Sequence, residues 1–329
     1  MDTIPLIPTV PESIKSAARE GKLIIFVGAG VSRILGCPSW VEFAEEYLKI
    51  IKDSGVIKNH FVYERLKEIG QRDPRKLLTI CRTLIPKPNI KKIFDKDEKI
   101  KKEHEVIYDH LYAFNAVYVT TNFDTHLDDV LLKKLQTIQP KSKTGAVIDS
   151  AKVPAPLAEI VYKNEKILTT LLDNAGNIIH LHGSIEDLDS LIITFPEYAR
   201  HYETGLNASE LLRKASERTI LFVGYGLEEY EILEYIVQKA GLPKPDSSRE
   251  VEVESRHAML FAAFEEEKEL VGYMKDYYKH LGVQLVAYSK TQNGHAQLVD
   301  VLEQWSKEIG PIARPLGFLE KRKVVEGID

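Results

Sequence analysis

Three apolar runs in this chain each end on residues able to do chemistry. Ile24-Ile25-Phe26-Val27 runs into Gly28-Ala29-Gly30-Val31-Ser32, and Val117-Tyr118-Val119-Thr120-Thr121 into Asn122-Phe123-Asp124. Ile178-Ile179 leads to His180-Leu181-His182-Gly183-Ser184. Short continuous apolar runs are the mark of parallel strands covered on both faces. Ligands of open α/β sheets bind outside the carboxyl ends of such strands, where all three endings fall. Gly28 and Gly30 let the backbone turn sharply and come close to a ligand, and successive N–H groups there suit a phosphate. The third glycine of the dinucleotide fingerprint is absent; Ser32 and then Gly36 stand in its place. An unremarkable strand-to-helix turn is the plain alternative. Asn122 equally suits a helix cap, and Asp124 a first-turn acid favoured by the helix dipole. A neutral histidine is a general base near pH 7. Ser32 and Ser184 have no credible base–acid relay, which argues against a serine hydrolase.

In order, the 28–32 turn, the 121–124 segment and the Leu181-His182-Gly183 segment resemble the signatures of the sirtuin family of NAD-consuming enzymes. Phe222-Val223-Gly224-Tyr225-Gly226 resembles that family's later nucleotide-contacting loop, and the likeness spans roughly residues 22–305. The resemblance implies that NAD is the substrate. It places Gly28 and Gly30 on the diphosphate with Ala29, Ser32 and Gly183 nearby, and Gly224 and Gly226 on the adenosine side. Asn122 would contact the nicotinamide ribose and help position water, His182 would act as base toward a ribose hydroxyl, and Asp124 would serve the nicotinamide end. His180 and His182 are expected to point to opposite faces, and the Leu-His-Gly match selects His182 for the site. Such an enzyme must hold the ribose, stabilise oxocarbenium-like charge as neutral nicotinamide leaves, and admit a nucleophile.

The chain also departs from protein-deacylating sirtuins. Their Gly-x-Pro-Asp-Phe-Arg segment is replaced by Gly36-Cys37-Pro38-Ser39-Trp40, and their four-cysteine zinc module has no counterpart among two cysteines, Cys37 and Cys81. No metal is therefore expected. The pattern resembles the divergent sirtuin-like domains of bacterial antiphage defence, which hydrolyse NAD to nicotinamide and ADP-ribose. That likeness implies a homo-oligomer held inactive until a separate ATPase or helicase of the HerA type, or a phage-derived activator, releases it. The competing expectations are an NAD- or ADP-ribose-binding regulatory module without turnover and, further off, an NAD-dependent deacylase.

These residues need a scaffold, and the spacing predicts an α/β fold: a Rossmann-like, doubly wound, mainly parallel sheet. A helix is expected over residues 11–18, then a strand over 23–27. No strand pattern appears over residues 40–114, where the spacing at 41–51, 75–84 and 105–114 predicts helices. This block, about residues 40–115, resembles the helical insertion of sirtuin-like domains, which implies a module covering the NAD site. A plain helical bundle on the sheet edge is the alternative. The mixed charges of residues 91–102 read as a solvated face, and residues 139–156 as a loop. Further strands are expected at 220–223, 259–263 and 283–287, giving a catalytic domain over 1–310 and a tail over 311–329.

Composition narrows the class. Forty-four basic and 49 acidic residues leave a net charge of −5, which does not favour wholesale nucleic-acid binding. No apolar run nears the roughly 20 residues that span a bilayer, and the first residues lack a signal peptide's pattern. Two cysteines in 329 residues fit a reducing, cytoplasmic setting.

Overall fold

The buried apolar runs become the middle of a parallel sheet. A computed structural model describes residues 3–94, 104–138, 158–203, 205–226, 232, 235 and 255–309. Its strands are β1 Leu23–Val27, β2 Ala116–Thr120, β3 Ile160–Val161, β4 Ile178–His180, β5 Thr219–Val223, β6 His257–Ala263 and β7 Val283–Ser289. They form one seven-stranded sheet in the order β3-β4-β2-β1-β5-β6-β7, and every pairing is parallel. The described helices are α1 Glu12–Arg19, α2 Ala29–Ile34, α3 Trp40–Asp53, α4 His60–Arg72, α5 Pro74–Leu84 and α6 Lys91–Phe94. After them come α7 Val106–Tyr112, α8 His126–Ile138, α9 Phe195–His201, α10 Asn207–Ala215, α11 Lys268–His280 and α12 Gln297–Ile309.

Strand β1 is buried along its whole length because both faces are covered. Ile25 and Val27 join a core built with α1, α7, α8 and α12 around Ile14, Tyr108, Leu127 and Trp305. Ile24 and Phe26 point the other way, into a core with Tyr198, Leu211, Leu212, Val271 and Tyr278 from α9, α10 and α11. The sheet is thus a doubly wound, Rossmann-like one. Pairing β1 with β2 on one edge and β5 on the other reverses the strand order there, the crevice where such sheets bind ligands.

Between β1 and β2 the chain leaves the sheet for α3 to α6, which close a third core around Phe43, Tyr47, Leu48, Leu77, Leu78 and Cys81. Three starts are capped chemically: Ser39 and Glu42 form a reciprocal capping box on α3, Asn59 accepts from the Phe61 and Val62 N–H groups on α4, and Asp73 accepts from the Lys76 N–H ahead of Pro74 on α5. Phe123, Ile185, Leu191 and Ile193, from the segments after β2 and β4, complete this core. The module therefore sits on the carboxyl ends of those strands. Helix α7 instead joins the sheet-facing core through Ile107, Tyr108 and Leu111. Residues 95–103, 139–157 and 310–329, which hold most of the mixed-charge stretch, the expected loop and the tail, lie outside the described residues.

Candidate active site

The turns after β1 and β5 are built into each other. The Gly28 N–H donates to the Val223 carbonyl at 2.9 Å, and the Gly30 N–H to the Gly224 carbonyl at 2.8 Å. A Cβ on Gly28 would lie 2.6 Å from Tyr225 Cα, and one on Gly30 2.8 Å from the Gly224 oxygen. Gly224 itself has φ +62°, and a Cβ there would meet the Val31 nitrogen at 2.6 Å. The glycines are thus required by the contact of two backbones, and the Gly30 amide is already taken. Ala29 between them is exposed and opens on a cleft, while Gly226 is exposed beyond the β5 turn.

Three of the expected polar residues meet at this turn. Asn122 Nδ2 donates to the Gly28 carbonyl at 3.1 Å and to Ser32 Oγ at 2.8 Å. A carbonyl only accepts, so the amide orientation is fixed by the network itself. Ser32 Oγ donates to Asp124 Oδ2 at 2.6 Å and lies 2.9 Å from the Tyr108 hydroxyl. With the serine proton directed at Asp124, Tyr108 must be the donor in that last contact. Burial first, and the Asp124 charge next, hold the Tyr108 hydroxyl well above its ordinary pKa, so it keeps its proton. Below, Thr120 Oγ1 donates to the Val27 carbonyl at 2.8 Å and accepts from the Asn122 N–H at 3.0 Å. One side-chain atom of Asn122 remains for the cleft: Oδ1.

The cleft is walled by Ala29, Ser32, Pro38, Trp40, Phe94, Asn122, Phe123 and Asp124. Phe123 is the residue that turns an Asn-x-Asp pair into a fixed geometry. Its ring packs edge-on to Trp40 at 5.6 Å and Phe94 at 6.3 Å, and against Phe43 at 5.8 Å, pinning the turn to the helical module. Asn122 is not a helix cap; α8 starts at His126, whose N–H donates to Asp124 Oδ1 at 3.2 Å. Asp124 therefore serves both the network and the helix start.

The two histidines part company. His180 reaches Asp128 Oδ1 on α8 at 2.9 Å through Nε2 and the Asn122 carbonyl at 3.1 Å through Nδ1. His182 is fully buried on the other side of the sheet, with Nε2 2.6 Å from the Tyr202 hydroxyl and Nδ1 3.1 Å from that of Tyr198. The expectation of opposite faces holds for a different reason than alternation. Side chains two residues apart share a face of a strand; these diverge because β4 stops at His180 and the chain turns at Gly183, φ +80°. Gly183 has no room for a Cβ either, since one built there would run into the Ser190 backbone carbonyl.

Burial first, then His201 and Arg75, push the His182 pKa well below 6.5, so it is a neutral imidazole. It is also covered. Helix α9 holds Tyr198 over it and ends on Tyr202, which covers it from the other nitrogen, and α5 braces α9. The Arg75 guanidinium lies 4.0 Å above the Tyr198 ring, Arg82 Nε is 3.7 Å from Glu197, and the Phe195 N–H donates to Thr79 Oγ1 at 3.1 Å.

Sequence reasoning passed over Tyr108, Asp128, Tyr198 and Tyr202, and selected His182 for the site in place of His180. The four-residue spacing of Tyr198 and Tyr202 was a readable helical signal that went unread; Tyr108 and Asp128 reach the site only through tertiary packing. Among the described residues no group of three or more histidine, cysteine or carboxylate side chains could hold a metal ion, and both cysteines are free thiols. No helix among those residues is long and apolar enough to cross a membrane.

The family comparison follows this geometry. The model of the SIR2-like domain matches residues 116–281, just over half of the chain, from β2 to the end of α11. That interval carries Asn122, Asp124, His180, His182, Gly224 and Gly226, while the Gly28–Ser32 turn lies before it. Defense-associated sirtuin 2 of Bacillus subtilis is 25% identical over 226 residues, covering 67% of this chain and 19% of that protein. The chain thus spans about a fifth of that relative's length. With a matched domain over half its length, the chain belongs to the SIR2-like domain family.

Proposed function

We propose that this chain is an NAD glycohydrolase acting in antiphage defence. The SIR2-like domain uses NAD, and the relative's name supports the defence setting. The observation that carries the reading is the locked amide of Asn122, whose Nδ2 is held by Gly28 and Ser32 while Oδ1 is left to the cleft. In this reaction the bond between ribose C1′ and the nicotinamide nitrogen breaks, and nicotinamide departs neutral with the bonding electrons. Water attacks C1′ and loses a proton, giving ADP-ribose, nicotinamide and H⁺. Asn122 Oδ1 accepts from the attacking water or a ribose hydroxyl. Asp124 and Ser32 fix that amide, and Ala29 borders the NAD diphosphate. His182 is the neutral base, and reaching a ribose hydroxyl requires Tyr198 or Tyr202 to release it. Homo-oligomerisation, a separate HerA-type ATPase or helicase partner or a phage-derived activator, and a cytoplasmic setting belong to the same proposal.

The burial of His182 favours a second reading, an NAD- or ADP-ribose-binding module without turnover. Incubation with NAD, followed by chromatography of nicotinamide and ADP-ribose, separates the two. A hydrolase releases both in equal amounts; a binder releases neither yet still binds NAD in calorimetry. Dependence on an acyl-lysine peptide would mark a deacylase.

A further inference from the structure

His180 is 1% exposed, and both its ring nitrogens face oxygen atoms. The Asn122 carbonyl has no proton to give, so Nδ1 must carry one. Nε2 faces a carboxylate oxygen of Asp128 at 2.9 Å, which places a second proton between ring and carboxylate. A neutral imidazole beside an ionised carboxylate could satisfy only one of these acceptors. Imidazole is the stronger base of the two, so the shared proton sits on the ring and His180 is an imidazolium paired with Asp128. The remaining charged group acting on it is Asp124, across the 120–124 turn, and the direction of its pKa agrees. Burial, the largest influence, lowers it, but the Asp128 charge and hydrogen bond with the Asn122 carbonyl and Asp124 raise it on balance.

The target of this cation is the residue whose side chain faces the cleft. Asn122 is held at its carbonyl by His180, at its N–H by Thr120 Oγ1, and at Nδ2 by Gly28 and Ser32. A charge-assisted hydrogen bond is stronger and more directional than a neutral one. Burying an ion pair seldom adds net stability over packed apolar side chains, so fold stability alone gives a weak reason for this one. We propose that His180 and Asp128 are positioning residues, which fix the Asn122 peptide so that its side-chain oxygen is aimed into the cleft. This rests on the NAD-hydrolase reading for its chemistry, though not for its geometry. Neither residue touches substrate.

Asp128→Asn keeps the shape and an acceptor but removes the charge. In the full chain labelled with ¹⁵N-histidine, native His180 should show two ring N–H protons at pH 8, and the variant one. The Asn122 side-chain NH₂ resonance should move in the variant. Turnover should fall about 10²-fold, with the dissociation constant for NAD changed less than threefold. Val130→Ala, a truncation in the core on the same helix, is the control for lost stability. It should lower Tm at least as far without moving the Asn122 resonance or kcat. A single ring proton on native His180, or equal effects of the two variants on kcat and on the Asn122 resonance, would overturn the proposal. If native protein releases no nicotinamide, the hydrolase reading fails. The two resonances then decide the positioning role: an imidazolium with a shifted Asn122 signal in the variant upholds it, and an unshifted signal ends it.

Discussion

Asn122 shows how few atoms decide a site. Replacing it with alanine removes the cleft-facing oxygen, and with aspartate it removes the donor that Gly28 and Ser32 hold in place. Both changes should lower nicotinamide release by about 10²–10⁴-fold, while circular dichroism keeps the native signature. Asn122→Asp turning over at the native rate would show that the amide's orientation is immaterial. The histidines make a pH prediction of opposite signs. His182 has a folded pKa well below 6.5, and burial lowers His201 and His257 to about 4. Below about pH 6.5 the unfolded chain binds protons that these buried rings refuse, so their stabilisation is present above that pH and lost as pH falls. His180, with its pKa raised, stabilises fully below pH 6.5 and less as pH rises through its folded value. Below pH 6.5 His180 is protonated in both states and adds no slope, so the lowered histidines, with His295 as a fourth, predict a falling Tm between pH 6.5 and 4, checked by calorimetry across that range.

At the scale of elements, strand runs were legible because burial on both faces leaves a continuous apolar word, as in β1, β2 and β5. What escaped was structure with no such word. Strand β3 is two residues long, and α4 fully buries only Gly70 of its 13 residues, with Tyr63 and Leu66 half-covered on the third core, so its stripe is faint. The glycine turns were legible as special but not in their cause, since a turn pressed on another turn looks like a turn pressed on a phosphate. That ambiguity sets the test. Gly28→Ala should destabilise the protein by about 1–3 kcal/mol whether or not NAD binds there, because its Cβ meets Tyr225. Ala29→Phe, at an exposed position on the cleft, should leave Tm within about 2 °C of native and weaken NAD binding tenfold or more. Unchanged NAD affinity in calorimetry would remove the 28–32 turn from the cofactor site.

Over the whole molecule, the first residues are fastened to the last elements. The Ser289 N–H at the end of β7 donates to the Pro5 carbonyl at 2.8 Å, and the buried Trp305 indole donates to the Pro8 carbonyl at 2.7 Å. Deleting residues 3–10 would leave that indole N–H unpaired, at a cost of about 1–3 kcal/mol, and uncover the core beneath Val10. A lower urea midpoint with altered tryptophan emission is the expected result. Sequence alone gave no hint of this fastening, because hydrogen bonds between residues some 300 positions apart leave no periodic trace.

The brace between α5 and α9 makes the helical module a handle on a buried histidine. Force or binding energy applied to α5 has a short route to His182: through Arg75 to the Tyr198 ring and through Arg82 to Glu197. A chain wired this way can be read from outside without any ligand entering the cleft. Cutting the wire should be visible chemically, since Arg75→Ala with Arg82→Ala loosens α9 without touching the Asn122 network. Diethyl pyrocarbonate should then modify His182 several-fold faster than in the native protein, by peptide mass mapping. Equal rates would mean that the tyrosines hold the imidazole by themselves and that the module carries no message to it.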